Sequence, residues 1–268
     1  MWTNREATNL VGIPERVVVI GGGAVGVELG RFLAPMGARV TIFEGAGRLV
    51  PREHPRVGEL TRDVLEGDGI DVRTGVQTRR VLRAGSATAV EADDGSRVAT
   101  DVVLLATGRR PRTADLGLEA AGATLDPRGA VVVDERCRAA PCLWALGDAT
   151  GVALFTHVAT DQGRVVADNI LGRTPTARYE GIPRVVFADS EIAAVGQDLT
   201  ETEIDLAGSI ARPFTTRPSR AGTSGSSPTA GARCSSGPGR SYPWPGSGST
   251  RPRSPSAPRS PSTSSATR

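Results

Sequence analysis

The sequence predicts an α/β protein whose first half winds helices around a parallel sheet and then adds a smaller antiparallel section. Three observations predict it. Residues 16–20 (RVVVI) form a β-branched run that stops abruptly at Gly21, Gly22 and Gly23, as a buried parallel strand does on entering a tight turn. Val25, Leu29, Phe32 and Leu33 then recur at helical spacing, and a second β-branched run follows at 39–43 (RVTIF). Strand, glycine turn, helix and strand make one βαβ unit.

Taken in order, the first strand starts after Pro14, and its helix turns Val25, Leu29, Phe32 and Leu33 toward the sheet and stops near Gly37. A second helix is expected over 56–67 and a third strand over 70–73. The antiparallel section spans 76–98 and turns at Asp93-Asp94-Gly95, and residues 101–106 (DVVLLA) close the module as another apolar strand. From Pro111 the elements shorten: strands at 130–133 and 142–146, a helix over 156–171, and a strand at 184–187 after Pro183. The 185–187 strand is expected to lack the sheet it should join. Order persists to about Phe214. Beyond it Ser, Pro, Gly and Arg dominate without hydrophobic period, which predicts a disordered, low-complexity tail over 215–268.

Composition sharpens this division. The 268 residues contain no lysine, so all 32 basic residues are arginines, and every acid lies at or before Asp205. The net charge of +3 therefore averages an acidic body and a basic tail. The tail is either a genuine arm or coding DNA read in a shifted frame, since GC-rich DNA so read yields Arg, Pro, Ser and Gly. Without lysine clusters and with few aromatics, it gives no support to specific nucleic-acid recognition. No stretch reaches the roughly 18 apolar residues of a bilayer span, and the N-terminus lacks a signal-peptide pattern. A cytoplasmic protein with no membrane partner is the expectation. Three cysteines and two histidines without ligand spacing predict no metal site.

The glycine turn carries the chemistry. Gly21, Gly23 and Gly26 fit G-x-G-x-x-G: the first permits the turn, the second lets backbone approach a pyrophosphate, and the third allows close helix-to-strand packing. Glu44 ends the second strand, 23 positions after Gly21. A carboxylate there accepts hydrogen bonds from an adenosine ribose and repels the 2′-phosphate of NADP. The context predicts a Rossmann-like dinucleotide site that favours NAD over NADP, although Arg48 nearby keeps NADP open. Glu44 as a plain exposed strand-end carboxylate is the competing reading.

A second signature narrows the reading. Residues 106–111 (ATGRRP) are followed by 145–148 (ALGD), 156–163 (THVATDQG) and 186–196 (VFADSEIAAVG). With the glycine turn (GGGAVGVELG, 21–30), these ordered motifs resemble the pyridine nucleotide-disulfide oxidoreductase family, in its dihydrolipoamide dehydrogenase branch, from about Pro14 to Phe214. The resemblance implies a nicotinamide nucleotide domain at 1–110, the C-terminal part of an FAD-binding domain at 111–181, and the start of an α+β dimerisation domain at 182–214. It assigns Gly21, Gly22, Gly23, Ala24, Val25, Gly26, Val27, Glu28, Glu44, Val76 and Gly108 to the nicotinamide nucleotide. It assigns Asp148 to the flavin ribityl hydroxyls, and Leu154, Phe155, Thr156 and His157 to the isoalloxazine ring. For Val76 an ordinary core position competes, and for Glu28 a solvated helix carboxylate. Asp148 also suits a turn or cap, and His157 an ordinary helix start.

The family passes hydride from NADH to flavin and then to a disulfide or other acceptor. Its first flavin glycine motif and redox cysteines precede the nicotinamide nucleotide domain. The chain is thus expected to bind NAD, to hold FAD poorly unless another chain supplies the missing half, to carry no catalytic residue of its own, and to have a truncated homodimer interface. Cys137 and Cys142 share the family's Cys-x4-Cys spacing but sit before the ALGD strand with no helix N-terminus beside them. They are read as incidental thiols. The alternatives are a flavin-free Rossmann dehydrogenase and a non-catalytic NAD-binding protein.

Overall fold

The computed structural model describes residues 1–85, 87–188 and 191–196, with a short strand pair beyond them. Three consecutive valines explain its centre. In β1 (Arg16–Ile20), Val17, Val18 and Val19 are all buried. Alternate side chains of a strand face opposite sides. Val17 and Val19 enter a core shared with Val27, Leu33, Val40, Ile42 and Leu104, while Val18 joins Phe43, Val90, Ala92 and Val103 on the other side. A strand covered on both faces reads as an unbroken apolar run, as parallel strands do.

The parallel sheet runs β3-β2-β1-β7, with β2 at Arg39–Glu44, β3 at Asp71–Thr74 and β7 at Val102–Leu105. Helices α2 (Ala24–Leu33) and α3 (Pro55–Gly67) connect the strands. The opposite face is covered by an antiparallel meander, β4 (Thr78–Ala84), β5 (Ala87–Ala92) and β6 (Arg97–Thr100). In the meander, Glu91 is almost wholly buried between Arg80, at 2.9 Å, and Arg97, at 2.6 Å. Its carboxyl is held below the ordinary range, chiefly by the Arg80 hydrogen bond. Trp2 adds one more rung beyond β7: its amide donates to the Val103 carbonyl at 2.7 Å, and its carbonyl accepts from Leu105 at 2.8 Å. The following turn, α1 (Asn4–Ala7), is closed by a reciprocal cap between Thr3 and Glu6.

Three expectations are corrected. Leu33 and Leu29 pack on the core as expected, joined by Gly26, Val27 and Gly30, whereas Val25 is only partly buried and Phe32 is exposed. The helix approaches through its glycines, and a Cβ at Gly30 would already touch Ile42 Cδ1 at 3.1 Å. Phe32, two residues on from Gly30, lies on the opposite side of the helix. Residues 130–133 form no strand: Val131 makes one bridge to Leu125, while the Asp126 side chain binds the amides of Arg128 and Ala130. This Asx-type turn takes the Ala130 amide and the Val131 amide goes to the Ala149 carbonyl at 2.8 Å, so only the Val132 amide, bonded to the Thr124 carbonyl at 2.9 Å, pairs across. Finally, the strand after Pro183 does have a partner, because β10 (Pro183–Val186) pairs antiparallel with β11 (Ile192–Val195).

Between these parts, β8 (Arg138–Ala140) and β9 (Leu143–Trp144) make a small hairpin, and α4 (Thr156–Ile170) packs Val165 and Val166 against Cys137 beneath it. The β10–β11 hairpin docks on the first module. Val186 and Ala188 join the core of Val27 and Leu33, Arg184 forms a two-pronged ion pair with Glu53 at 3.0 Å, and the Phe187 amide donates to Glu28 Oε1 at 2.9 Å. Among the described residues no helix is long and apolar enough to cross a membrane. Apart from the pairing of Ile204–Asp205 with Gly231–Ala232, the end of the expected dimerisation domain and the tail lie outside the described residues.

Candidate functional site

The glycine turn lies between the ends of three strands. Gly21 has φ 109°, in the left-handed region, and a Cβ there would overlap the Ala106 carbonyl at the end of β7. A Cβ on Gly22 would meet Leu49 Cδ2 at 2.5 Å and the Glu44 side chain at 2.9 Å, and one on Gly26 would overlap the Gly21 carbonyl oxygen. These three glycines are required by the chain itself. Gly23 is different. It has φ −75° and ψ −173°, conformations any residue adopts, and a Cβ there would meet nothing within 4 Å. The space over Gly23 opens outward, at the N-terminus of α2.

That terminus is uncapped. Gly23 offers no side-chain cap, no acid lies in the first turn, and the first intrahelical bond runs from the Val27 amide to the Gly23 carbonyl at 3.0 Å. The amides of Ala24, Val25 and Gly26 therefore precede the helical ladder, at the positive end of the helix dipole. Such an arrangement suits a diphosphate.

Glu44 stands beside it. Its Oε2 accepts from the Gly22 amide at 2.6 Å and its Oε1 from the Ala46 amide at 2.7 Å. Two backbone bonds fix the carboxylate, and each oxygen keeps a further acceptor position. The loop after β2 backs the turn: Leu49 is fully buried against Gly22, and the Val50 amide donates to the Gly22 carbonyl at 2.8 Å. Val50 has φ 39°, where a β-branched residue is strained, so this contact is held by its surroundings.

The other expected residues fall around this turn. Val76 is partly buried against the meander core, and its amide donates to the Glu44 backbone carbonyl at 3.1 Å, so it is a partly buried core residue beside the end of β2. Gly108 follows β7 at φ 118°. Glu28, one turn into α2, accepts the Phe187 amide instead of lying free.

Asp148 lies in a single turn of 3-10 helix over Gly147–Thr150 and is half exposed. Its carboxylate accepts from Arg109 Nη1 at 3.3 Å, and Arg109 also reaches the Leu154 carbonyl at 3.5 Å. Arg109 follows Gly108, so one side chain links the end of the first module to Asp148. Thr156 starts α4, whose N-terminus again lacks a side-chain cap, and the Phe155 ring stacks on His157 with centroids 5.3 Å apart.

One anchoring residue has no counterpart in the sequence expectations. Gln162, fully buried in α4, accepts the Gly147 amide at 2.6 Å and donates to the Tyr179 hydroxyl at 2.9 Å. It pins the turn carrying Asp148. The polar residue within THVATDQG was the only available signal, and its helical phase places it with Val158, Val165 and Val166 on the buried face.

Cys137 and Cys142 occupy opposite ends of the β8–β9 hairpin. Cys137 is buried, with its carbonyl accepting the Ala145 amide at 3.0 Å and its own amide donating to the Asp134 carbonyl at 2.9 Å, and Cys142 is exposed at the turn. Burial pushes the Cys137 thiol up. Both are free thiols. Among the described residues no three His, Cys, Asp or Glu side chains group as metal ligands.

Comparison with known proteins agrees with this architecture. The profile described as "Pyridine nucleotide-disulphide oxidoreductase" matches residues 1–163. A mercuric reductase of Streptomyces lividans is 40% identical over 211 residues, covering 77% of this chain and 44% of that protein. A dihydrolipoyl dehydrogenase of Thermus scotoductus is 38% identical over 215 residues, covering 78% and 46%. Among solved structures, the HOCl-induced flavoprotein disulfide reductase RclA from Escherichia coli superposes with a TM-score of 0.68 at 32% identity, covering 73% of this chain and 46% of that one. The chain spans less than half the length of these relatives.

Proposed function

The chain belongs to the pyridine nucleotide-disulphide oxidoreductase family, and on that membership we propose that it is the NAD-binding section of a flavin-dependent oxidoreductase of the dihydrolipoyl dehydrogenase type. Residues 1–110 bind NAD(H). Gly21, Gly22, Gly23, Ala24, Val25, Gly26 and Val27 cradle the diphosphate, Glu44 accepts the adenosine ribose hydroxyls, and Val76 and Gly108 line the flanks. The observation that carries this reading is Gly23: among the described residues nothing requires a glycine there, and the open space lies at helix amides that precede the intrahelical bonds, beside a fixed carboxylate. A diphosphate is the group that uses all three features.

On the flavin side, the residues fit in part. Asp148, at residues 111–181, offers an acceptor-only group to ribityl hydroxyls. Phe155, Thr156 and His157 sit with Leu154 at an uncapped helix N-terminus suited to negative charge. When bound, FAD supplies the centre that accepts hydride from NADH and passes electrons to a disulfide or other acceptor. Residues 182–214 are read as the start of the family's dimerisation domain, with a second copy as partner.

Titration calorimetry with NADH and NADPH tests the nucleotide assignment. NADH is expected to bind more tightly. Glu44→Gln is expected to narrow the difference by about one to two decades, the worth of one charge-assisted hydrogen bond at roughly 1.5–3 kcal/mol. Equal affinities in the parent chain, or a preference unchanged by the substitution, would remove Glu44 from the site.

A second reading, a chain that binds NAD without flavin chemistry, is favoured by one contact: Arg109 already occupies the Asp148 carboxylate. Under it, purified protein loses yellow colour on dialysis. Full flavin absorbance after extensive dialysis would exclude it.

A further inference from the structure

Beside Glu44 the chain presents a polar group that neither the fold nor the glycine motif uses. The Gln77 carboxamide lies flat on Gly45, with Cδ at 2.6 Å and Oε1 at 2.8 Å from where a Cβ would stand, and Nε2 nearer still. Gly45 is not in the left-handed region, so the turn itself does not demand a glycine. Its missing side chain makes room for Gln77. The backbone of Gln77 is fixed on both sides: its amide donates to Asp93 Oδ1 at 3.0 Å, and its carbonyl accepts the Asp93 amide at 2.9 Å. The Gly75 amide donates to the Ala46 carbonyl at 2.8 Å and the Val76 amide to the Glu44 carbonyl at 3.1 Å, which ties this segment to the loop carrying Glu44.

Gln77 is exposed, and among the described residues its carboxamide has no hydrogen-bond partner. An exposed glutamine usually just meets water. Here, however, a room-making glycine and a pinned backbone seat a carboxamide that can donate and accept against Gly45, the residue after Glu44, whose carboxylate is fixed by two amides.

We propose that Gln77 is a second polar contact to the adenosine end of the dinucleotide, acting beside Glu44 on the ribose. The proposal rests on the nucleotide reading above. It assigns affinity for the adenosine end to two side chains from different strand ends, Glu44 closing β2 and Gln77 preceding β4. Gly45 is the surface on which the second is seated.

The test is calorimetric titration of the full chain with ADP-ribose and with NADH. Gln77→Ala is expected to weaken both ligands alike, by roughly three- to tenfold, as a single net hydrogen bond does, with no change in melting temperature. Gly45→Ala is expected to weaken them by a similar factor, because its methyl displaces the carboxamide. The double variant should bind no more weakly than either single one, since both remove the same contact. Parent binding with Gln77→Ala unchanged within twofold, or losses that multiply in the double variant, would overturn the proposal while leaving the nucleotide reading intact. A parent chain that binds neither ADP-ribose nor NADH would overturn both.

Discussion

Replacing Gly23 by alanine should separate folding from binding. The added methyl meets nothing within 4 Å, and φ −75° suits alanine, so the folded chain accepts it without strain. Alanine also restricts the unfolded chain, which adds about 0.4–1 kcal/mol of stability where the conformation is compatible. The melting temperature should hold or rise. Binding should behave oppositely, because the methyl projects into the space from which a diphosphate reaches the amides of α2. Losing one charge-assisted bond costs roughly 1.5–3 kcal/mol, about ten- to a hundredfold in affinity for NADH. Gly26→Ala provides the contrast. Its Cβ would overlap the Gly21 carbonyl oxygen, so backbone must shift, with a stability loss of about 1–3 kcal/mol. Thermal melting and titration calorimetry on the two variants read both quantities. A Gly23→Ala chain that binds NADH as the parent does would refute the assignment of that space to the diphosphate. One that melts well below the parent would refute the claim that the fold does not need this glycine.

Two further outcomes test the packing that supports the site. Glu91 has a lowered folded pKa, so its contribution is present above the ordinary carboxylate value of about 4.3 and is lost as pH falls through the lowered folded value. Glu91→Gln should therefore melt below the parent at pH 7, with the gap closing toward pH 3, and a pH-independent gap would show that the ion pairs with Arg80 and Arg97 are not its cause. Gln162→Leu leaves the buried Gly147 amide without its partner and removes one bond from the part-buried Tyr179 hydroxyl, which still lies 4.0 Å from Cys137 Sγ. It should cost about 1–3 kcal/mol, chiefly for the Gly147 amide left unpaired, read by urea denaturation, and an unchanged midpoint would mean that neither bond matters.

The parallel core was legible because its signal is local and apolar. Val17 to Val19 lie adjacent in sequence and are buried on both sides of the sheet, so no knowledge of the partner was needed. The packing face of α2 was misread for the converse reason. Gly26 was marked by its place in the glycine motif, but Gly30 carries no hydrophobic signal, and only the approach of Ile42 and Val40 reveals it as a contact. At the site, the glycine spacing and Glu44 could be read from the chain, since their roles follow from a strand, a turn and a strand end. The Gly22 and Ala46 bonds that aim Glu44 could not. Neither could Gln162, whose partners lie 15 and 17 residues away and meet it only when α4 folds back over the Asp148 turn. The segment at 130–133 looked like a strand because valines cluster there, but only the Val131 bridge to Leu125 forms: the Ala130 amide goes to the Asp126 side chain and the Val131 amide to the Ala149 carbonyl.

The docking of the β10–β11 hairpin has a thermodynamic consequence. Glu28, which receives the Phe187 amide, lies one turn along the helix whose first amides face the open space over Gly23. Glu53, which receives Arg184, belongs to the loop that holds Gly22 through Val50. The hairpin therefore grips the glycine turn from two sides. Such coupling is reciprocal: whatever free energy a bound nucleotide lends to the hairpin's seating, a firmly seated hairpin returns to the nucleotide. A partner that holds or withdraws residues 183–196 would then raise or lower nucleotide affinity without touching the nucleotide.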